Sequence, residues 1–445
     1  MSTRSVEPKA GAALSSPRRT DRRRELSAAT VGSIVEAFDW TMYAALAPFF
    51  AAAVFPGGGT GSLLVAYAGF AVGFLARPVG SLVLGRVADR RGRKYGLLVG
   101  MTLISAAALV IALVPDKAVI GFWSAVVVIV ARLLQGLAYG GEGPIIAAYV
   151  TETAPPRRRF LFSSISYGGV LVGSMLAFLA VAVLHGIFGE DGLTDGGWRW
   201  GFAAATLIGL LALWVRRHAP ESEEFERERA ERGSERPRVV QALLEHRRAS
   251  LALFLITIGG TVNFYFSLIY LPTYATHLGV AEQAQASSFM TVGYLVALGA
   301  MLAIGALADR AGVGPVLRVA YLVMTLAWIP LLAGLDAELI GFRTVVVVGA
   351  ILSAAPIAVG NVMGGLMFPT VVRAVGVGVV VGVAVSGFGG TFPLIAEAMA
   401  SRDLLWLVPG YLTAAGAVGF LGTLIASGVP GFQQASRPTR DGAVR

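Results

Sequence analysis

The chain has 445 residues, 56% hydrophobic and 14% charged, with a mean hydropathy of +0.71. Soluble domains carry about 25% charged residues, so this composition excludes a water-soluble globular protein, a disordered regulator and a nucleic-acid binder. The net charge of +9 reflects membrane sidedness rather than a polyanionic partner. The absence of cysteine excludes disulfides, thiolate metal sites and cysteine nucleophiles. The four histidines, His185, His218, His246 and His277, lie outside the apolar runs. No histidine metal site or proton relay is therefore expected at membrane depth.

In chain order, residues 1–27 form a basic tail, and the apolar run after it is too long for a secretory signal peptide. Apolar stretches of at least about 18 residues then follow at 28–53, 62–84, 95–114, 119–151, 161–184 and 198–215. A second set lies at 250–275, 284–306, 315–335, 339–367, 375–400 and 404–428. No period-2 alternation suggests a barrel, so the expected fold is an all-α integral membrane protein with twelve transmembrane helices. Residues 216–249 form a linker in which acidic and basic residues alternate, as on a solvated helix. The linker separates a six-helix bundle at 28–215 from another at 250–428, and 429–445 is a tail.

Lys and Arg set the sidedness. With the amino terminus inside, cytoplasmic segments hold 30 of the 36 basic residues and the outer loops hold four, Lys117, Arg199, Arg343 and Arg402. The remaining two, Arg77 and Arg132, lie within spans. Both termini are expected in the cytoplasm. The halves also repeat: Gly85-Arg-Val-Ala-Asp89-Arg90-Arg-Gly92 recurs as Gly305-Ala-Leu-Ala-Asp309-Arg310-Ala-Gly312, 220 residues later. Such repeats suit a transporter whose two bundles rock around a central site.

Ionisable residues at membrane depth usually face a cavity or a partner. At 1.5 Å per residue, Glu36 lies about 14 Å, Arg77 about 12 Å and Glu142 about 15 Å from the cytoplasmic ends of their spans. Glu36, Asp39 and Tyr43 share one face of the first span by spacing. A carboxylate near an arginine and variable water is suited to proton coupling, which makes Glu36, Asp39 and Glu142 the candidate proton carriers. Arg77 and Arg132 can grip a carboxylate bidentately, or can simply neutralise those three acids. In the seventh span Asn263, Tyr265, Tyr270 and Tyr274 offer hydrogen-bonding groups, with Asn263, Tyr270 and Tyr274 on one face. They are candidates for pocket lining or for packing, and Asn361 is a further candidate. Arg199, between Trp198 and Trp200, reads as an interfacial anchor, and Glu397, near an outer end, as hydrated.

Gly85-Arg-Val-Ala-Asp89-Arg-Arg-Gly92-Arg93-Lys94 resembles the signature loop of the major facilitator superfamily, and Arg132-Leu-Leu-Gln135-Gly136 its second motif. Glu36-Ala-Phe-Asp39, Gly73-Phe-Leu-Ala-Arg77-Pro78-Val-Gly80 and Gln135-Gly-Leu-Ala-Tyr-Gly140-Gly141-Glu142 resemble the metabolite:proton symporter branch, as do Phe368-Pro369-Thr370-Val-Val-Arg373 and Phe388-Gly-Gly-Thr391. The tracts Arg373-Ala-Val-Gly376-Val-Gly378 and Ala212-Leu-Trp214-Val-Arg216-Arg217 look most like bacterial α-ketoglutarate permeases. The resemblance covers nearly all of 28–428. It implies two pseudo-symmetric six-helix bundles and a monomeric symporter of the inner (plasma) membrane. It implies import of α-ketoglutarate, citrate or a related dicarboxylate with protons, the proton being the coupling ion and no cofactor being needed. A zwitterionic osmolyte such as proline or betaine is the alternative substrate. Drug antiporters usually carry a Gly-Pro pair in the fifth span, where this chain reads Gly168-Gly169-Val-Leu-Val-Gly173. The expected partners are a small-molecule substrate and the bilayer. The signature loops imply an inner gate of Asp89, Arg90, Arg93, Glu152, Asp309, Arg310 and Arg373, with Arg93 pairing Glu152.

Overall fold

Long runs of Ala, Gly, Val and Leu cannot hydrogen-bond their backbones to lipid, so the helix is the local solution throughout. The computed structural model describes residues 19–91, 93–139, 155, 157–217, 239–369 and 372–437. The first bundle comprises α1 (Arg19–Val54), α2 (Gly59–Arg91), α3 (Arg93–Leu113), α4 (Trp123–Tyr139), α5 (Arg159–Gly192) and α6 (Trp198–Arg217). The second comprises α7 (Arg247–His277), α8 (Gln283–Ala311), α9 (Val313–Asp336), α10 (Phe342–Met367), α11 (Arg373–Ala400) and α12 (Val408–Ala426). Among the described residues nine runs are long and apolar enough to cross a bilayer, and Leu98–Leu113 and Trp123–Tyr139 are shorter apolar helices. One run, Arg159–Trp214, holds two spans, α5 and α6, folded back at Gly189, whose φ of 70° suits glycine. The set is therefore twelve. Helix α1 already begins at Arg19, ahead of the expected membrane edge, because Arg, Glu, Leu and Ala sustain a helix in water.

The repeat is visible in the packing. In the first bundle α2 packs on α4 and α3 on α6; in the second, α8 packs on α10 and α9 on α12. Close crossings use small residues, as expected where lipid supplies no hydrophobic drive between helices. A Cβ on Gly136 would collide with the Gly73 carbonyl, and one on Gly73 with the ring of Trp40 and the Arg132 carbonyl. The α2–α4 approach thus holds Arg77 and Arg132 near one another.

Two helices widen near the bundle interface. Helix α7 passes through a π-helical turn at Phe266–Tyr270 just before Pro272, and α11 does so at Val385–Gly389 just before Pro393. Proline lacks the N–H for the regular ladder and crowds the preceding turn, so the backbone relaxes locally into a wider turn.

The bundles touch at three depths. Near the ends expected to face outward, Tyr67 of α2 hydrogen-bonds Thr273 of α7 at 3.1 Å. Deeper, Ser386 of α11 donates to the Phe74 carbonyl at 3.0 Å. At the opposite ends Asp309 of α8 accepts from the backbone N–H groups of Phe160 and Leu161, at 2.9 and 3.0 Å, where α5 begins. Ser164 of α5 donates across the same interface to Met301 and Ala358 carbonyls.

Candidate functional site

Helix α4 places Arg132, Gln135 and Tyr139 three and four residues apart, hence on one face. That face meets Asp39 of α1. Gln135 Nε2 donates to both Asp39 oxygens at 2.9 Å, and the Tyr139 hydroxyl donates to Oδ2 at 2.8 Å. Arg132 Nη1 donates to Gln135 Oε1 at 2.7 Å and stands 3.9 Å from Asp39 Oδ2. Asp39, Arg132 and Gln135 are all essentially unexposed. The Asp39 carboxylate is thus held by a bridging amide, a phenol and a cation, which is the arrangement a buried charge requires.

Both arginines stack on rings. Arg132 lies 4.0 Å from the Trp40 ring centroid and 4.2 Å from that of Tyr43. Arg77 lies 4.2 Å from Trp40, 4.1 Å from Phe74 and 5.3 Å from Tyr139. The indole of Trp40 therefore serves two guanidinium groups, contacts of about 0.5–2 kcal/mol each. The two cations differ in access: Arg132 is sealed in the bundle, whereas Arg77 is half-buried. Arg77 and the half-buried Glu36 both act electrostatically on Tyr167 of α5 and Tyr265 of α7. Tyr265 belongs to the second bundle, so these groups surround the seam between the halves.

The other expected site residues fall in different places. Tyr43 is buried and donates to the Ala66 carbonyl at 2.9 Å. Asn263 donates to the Gly259 carbonyl and accepts from the Trp328 indole, joining α7 to α9. Tyr274 packs edge-on against Phe266, and Tyr270 donates to Glu397 Oε2 at 2.9 Å. Glu142 and Glu152 lie outside the described residues, as do the side chains of Asp89, Arg90, Arg93 and Asn361, so the Arg93–Glu152 pair does too. Asp309 sits at the inter-bundle contact, with Arg310 exposed beside it, and Arg373 opens α11.

Two expectations are corrected. Glu397 is not hydrated: it has no exposed surface and bonds Tyr270 and His277. A histidine does stand at such a carboxylate, since His277 Nε2 lies 2.9 Å from Glu397 Oε2. The cause is that α7 stays helical beyond the apolar run ending at 275, carrying His277 inward against α11. Arg199 also has a more specific role than an anchor, donating to Asp116 at 2.6 Å and to the Val114 carbonyl while Trp198 is fully buried. Gln135, Tyr139, Trp40 and Tyr167 are site residues that the sequence does not single out. The spacing of Arg132, Gln135 and Tyr139 is a signal that could have found two of them.

The open grooves are elsewhere. One of 490 Å³ between α2 and α4 is lined by Val72, Leu75, Val79 and other aliphatic residues, and one of 380 Å³ lies between α3 and α4. Their apolar linings suit acyl chains, not a charged solute.

Residues 29–392 match the family model described as Major Facilitator Superfamily. The chain belongs to the major facilitator superfamily. This superfamily member is 32% identical over 413 residues to the alpha-ketoglutarate permease of Escherichia coli (strain K12), covering 91% of this chain and 94% of the permease. It is 30% identical to the ectoine/proline transporter of Corynebacterium glutamicum, covering 87% of this chain and 80% of that protein. It is 29% identical to the citrate-proton symporter of Klebsiella pneumoniae, covering 88% and 89%. A crystal structure of a D-xylose-proton symporter superposes with a TM-score of 0.71 at 18% identity, covering 92% of this chain and 98% of that one. The superfamily fold is thus shared with solved symporters, and the chain is a membrane transporter rather than an enzyme.

Proposed function

We propose that the chain is a proton-coupled importer of a small organic acid, with α-ketoglutarate or a related di- or tricarboxylate as substrate. The observation that carries this reading is the half-buried Arg77, stacked on Trp40 and on Phe74, whose ring also meets Tyr265 of the second bundle edge-on. Arg77 offers a planar fork to a carboxylate, and Tyr265 and Tyr167 supply hydroxyls around it. Asp39 is already held by Gln135 and Tyr139 and keeps Arg132 compensated. Between the two described candidates, the coupling proton is assigned to Glu36, which is half-buried where Asp39 is sealed; Glu142 stays the third candidate.

Charge explains how substrate and proton travel together. Among the described residues the site holds Arg77 and Arg132 against Glu36 and Asp39, and a proton on Glu36 leaves one positive charge in excess. A carboxylate entering that site meets this excess positive charge, so acid and proton favour each other's binding. The relatives named for proline and for citrate divide on substrate. A quaternary ammonium such as betaine favours an empty aromatic cage, whereas the rings of Trp40, Phe74 and Tyr43 are occupied by guanidinium groups. That favours the acid.

The Lys and Arg distribution supports an inner (plasma) membrane protein with both termini cytoplasmic, and we propose that it works as a monomer. The test is uptake of labelled α-ketoglutarate by proteoliposomes with and without an inward proton gradient. The wild type concentrates substrate only with the gradient, while Glu36→Gln still exchanges labelled for unlabelled substrate but does not concentrate it. Gradient-independent accumulation by the wild type would overturn the reading.

A further inference from the structure

Away from the Arg77 site, the second bundle buries another carboxylate. Glu397 in α11 has no exposed surface; Oε2 bonds Tyr270 and His277, and Oε1 is buried without a hydrogen-bond partner among the described residues. His277 is itself 20% exposed, so its imidazole gives the buried carboxylate a route to the surface. The ring of Tyr270 meets Tyr67 of the first bundle edge-on at 5.7 Å, and Tyr67 in turn hydrogen-bonds Thr273. The His277–Glu397 pair is thus two contacts from the place where the bundles meet at their outer ends.

We propose that His277 and Glu397 form a proton-binding site reached from the outside, whose loading favours closure of the outer contact between Tyr67 and Thr273. The inference rests on the orientation and proton coupling assigned above, but on none of the residues of the Arg77 site. A proton from outside water enters at the imidazole and is shared across the 2.9 Å contact between Nε2 and Oε2, taking the pair from one negative charge to none. The groups facing Glu397 are Tyr67 from α2 and Tyr270 and His277 from α7. From α12, Tyr411 stacks on Phe392 instead. Among the described residues no lysine or arginine forms an ion pair with Glu397. An empty pair would leave an anion sealed beneath two phenols when the outer mouth is shut, which is unfavourable. Opening hydrates the carboxylate and removes that penalty. The closed form therefore binds the proton more tightly, and by linkage a fall in external pH favours closure.

The absence of native cysteine allows spin labels at Thr60→Cys, at the outer start of α2, and Glu282→Cys, ahead of α8, both exposed. Pulsed electron–electron distance measurements on this pair in lipid nanodiscs follow the outer mouth without any substrate. In the wild-type background the short-distance population is expected to grow as pH falls from about 8 to about 5. Glu397→Gln, which mimics the neutral acid, is expected to hold the short distance at every pH. His277→Gln removes one of the two bases sharing the proton and is expected to move the midpoint to lower pH. A distance distribution indifferent to pH in the wild type, or a wild-type response in Glu397→Gln, would overturn the proposal. Should Glu397→Gln fail to fold, an unshifted midpoint in His277→Gln overturns it alone. Gradient-independent uptake, by contrast, sinks the transport reading and leaves this distance measurement standing as its own test.

Discussion

Arg77 and Arg132 carry the same charge and share one indole, but their surroundings give them different work. Arg132 is enclosed with Gln135 and Asp39, so it fixes the bundle. Arg77 reaches the seam, so it is available to a solute. Replacing Arg77 by Gln is expected to weaken α-ketoglutarate binding by about 2 kcal/mol or more, roughly thirty-fold, read as the concentration that half-saturates counterflow. Replacing Asp39 by Asn leaves Arg132 uncompensated in the interior and is expected to destabilise the protein by about 3–5 kcal/mol, measured by thermal or denaturant unfolding in detergent. If Asp39→Asn were as stable as wild type and lost only transport, Asp39 rather than Glu36 would be the proton carrier.

Helices such as α2, α4, α7 and α11 decide which of these side chains can meet. The α2–α4 crossing depends on Gly136 lying against the Gly73 carbonyl. Gly136→Ala is expected to force the helices apart, lowering stability by about 1–3 kcal/mol and disturbing the Arg132–Trp40 stack; tryptophan fluorescence and unfolding together would show both effects. The same scale explains what was legible in the sequence. Apolar lengths gave the spans, and the 220-residue repeat gave the two bundles, because bilayer thickness and internal duplication leave one-dimensional marks. The single face that spacing gives Asn263, Tyr270 and Tyr274 is split in the fold, where Asn263 meets Trp328, Tyr270 meets Glu397 and Tyr274 packs on Phe266. The π turn at Phe266–Tyr270 adds a residue to one turn, rotating the remainder of the helix by about 100°. Periodic counting across it therefore misplaces Tyr274 relative to Asn263. The burial of Glu397 was equally hidden, since its partners His277 and Tyr270 are 120 and 127 residues away.

At the scale of the whole molecule, the two bundles are joined at both ends, and alternation requires those contacts to break in turn. At the end expected to face the cytoplasm Asp309 accepts two N–H groups at the start of α5, where unpaired donors and the helix dipole favour an anion. Asp309→Asn is expected to weaken that contact by about 0.3–2 kcal/mol and to raise the inward-open population, read as faster labelling of cysteines introduced on the inner side. The halves are alike in helix pairing yet unlike in charge. The first holds Asp39, Arg77 and Arg132, of which Arg77 reaches the seam, and the second supplies Tyr265 there and keeps its carboxylate, Glu397, near the end expected to face outward. On the proposed function, substrate and coupling chemistry would fall chiefly on one bundle, with the other closing over it.

The proposed function requires that Arg77 bind the carboxylate of an organic acid. Counterflow of labelled α-ketoglutarate in proteoliposomes, challenged with unlabelled citrate, succinate, proline and betaine, tests it most directly. The carboxylates are expected to compete in the wild type and proline and betaine are not, and Arg77→Gln is expected to need roughly thirty-fold more substrate to half-saturate the exchange. Competition by proline or betaine alone, or full exchange by Arg77→Gln, would contradict it.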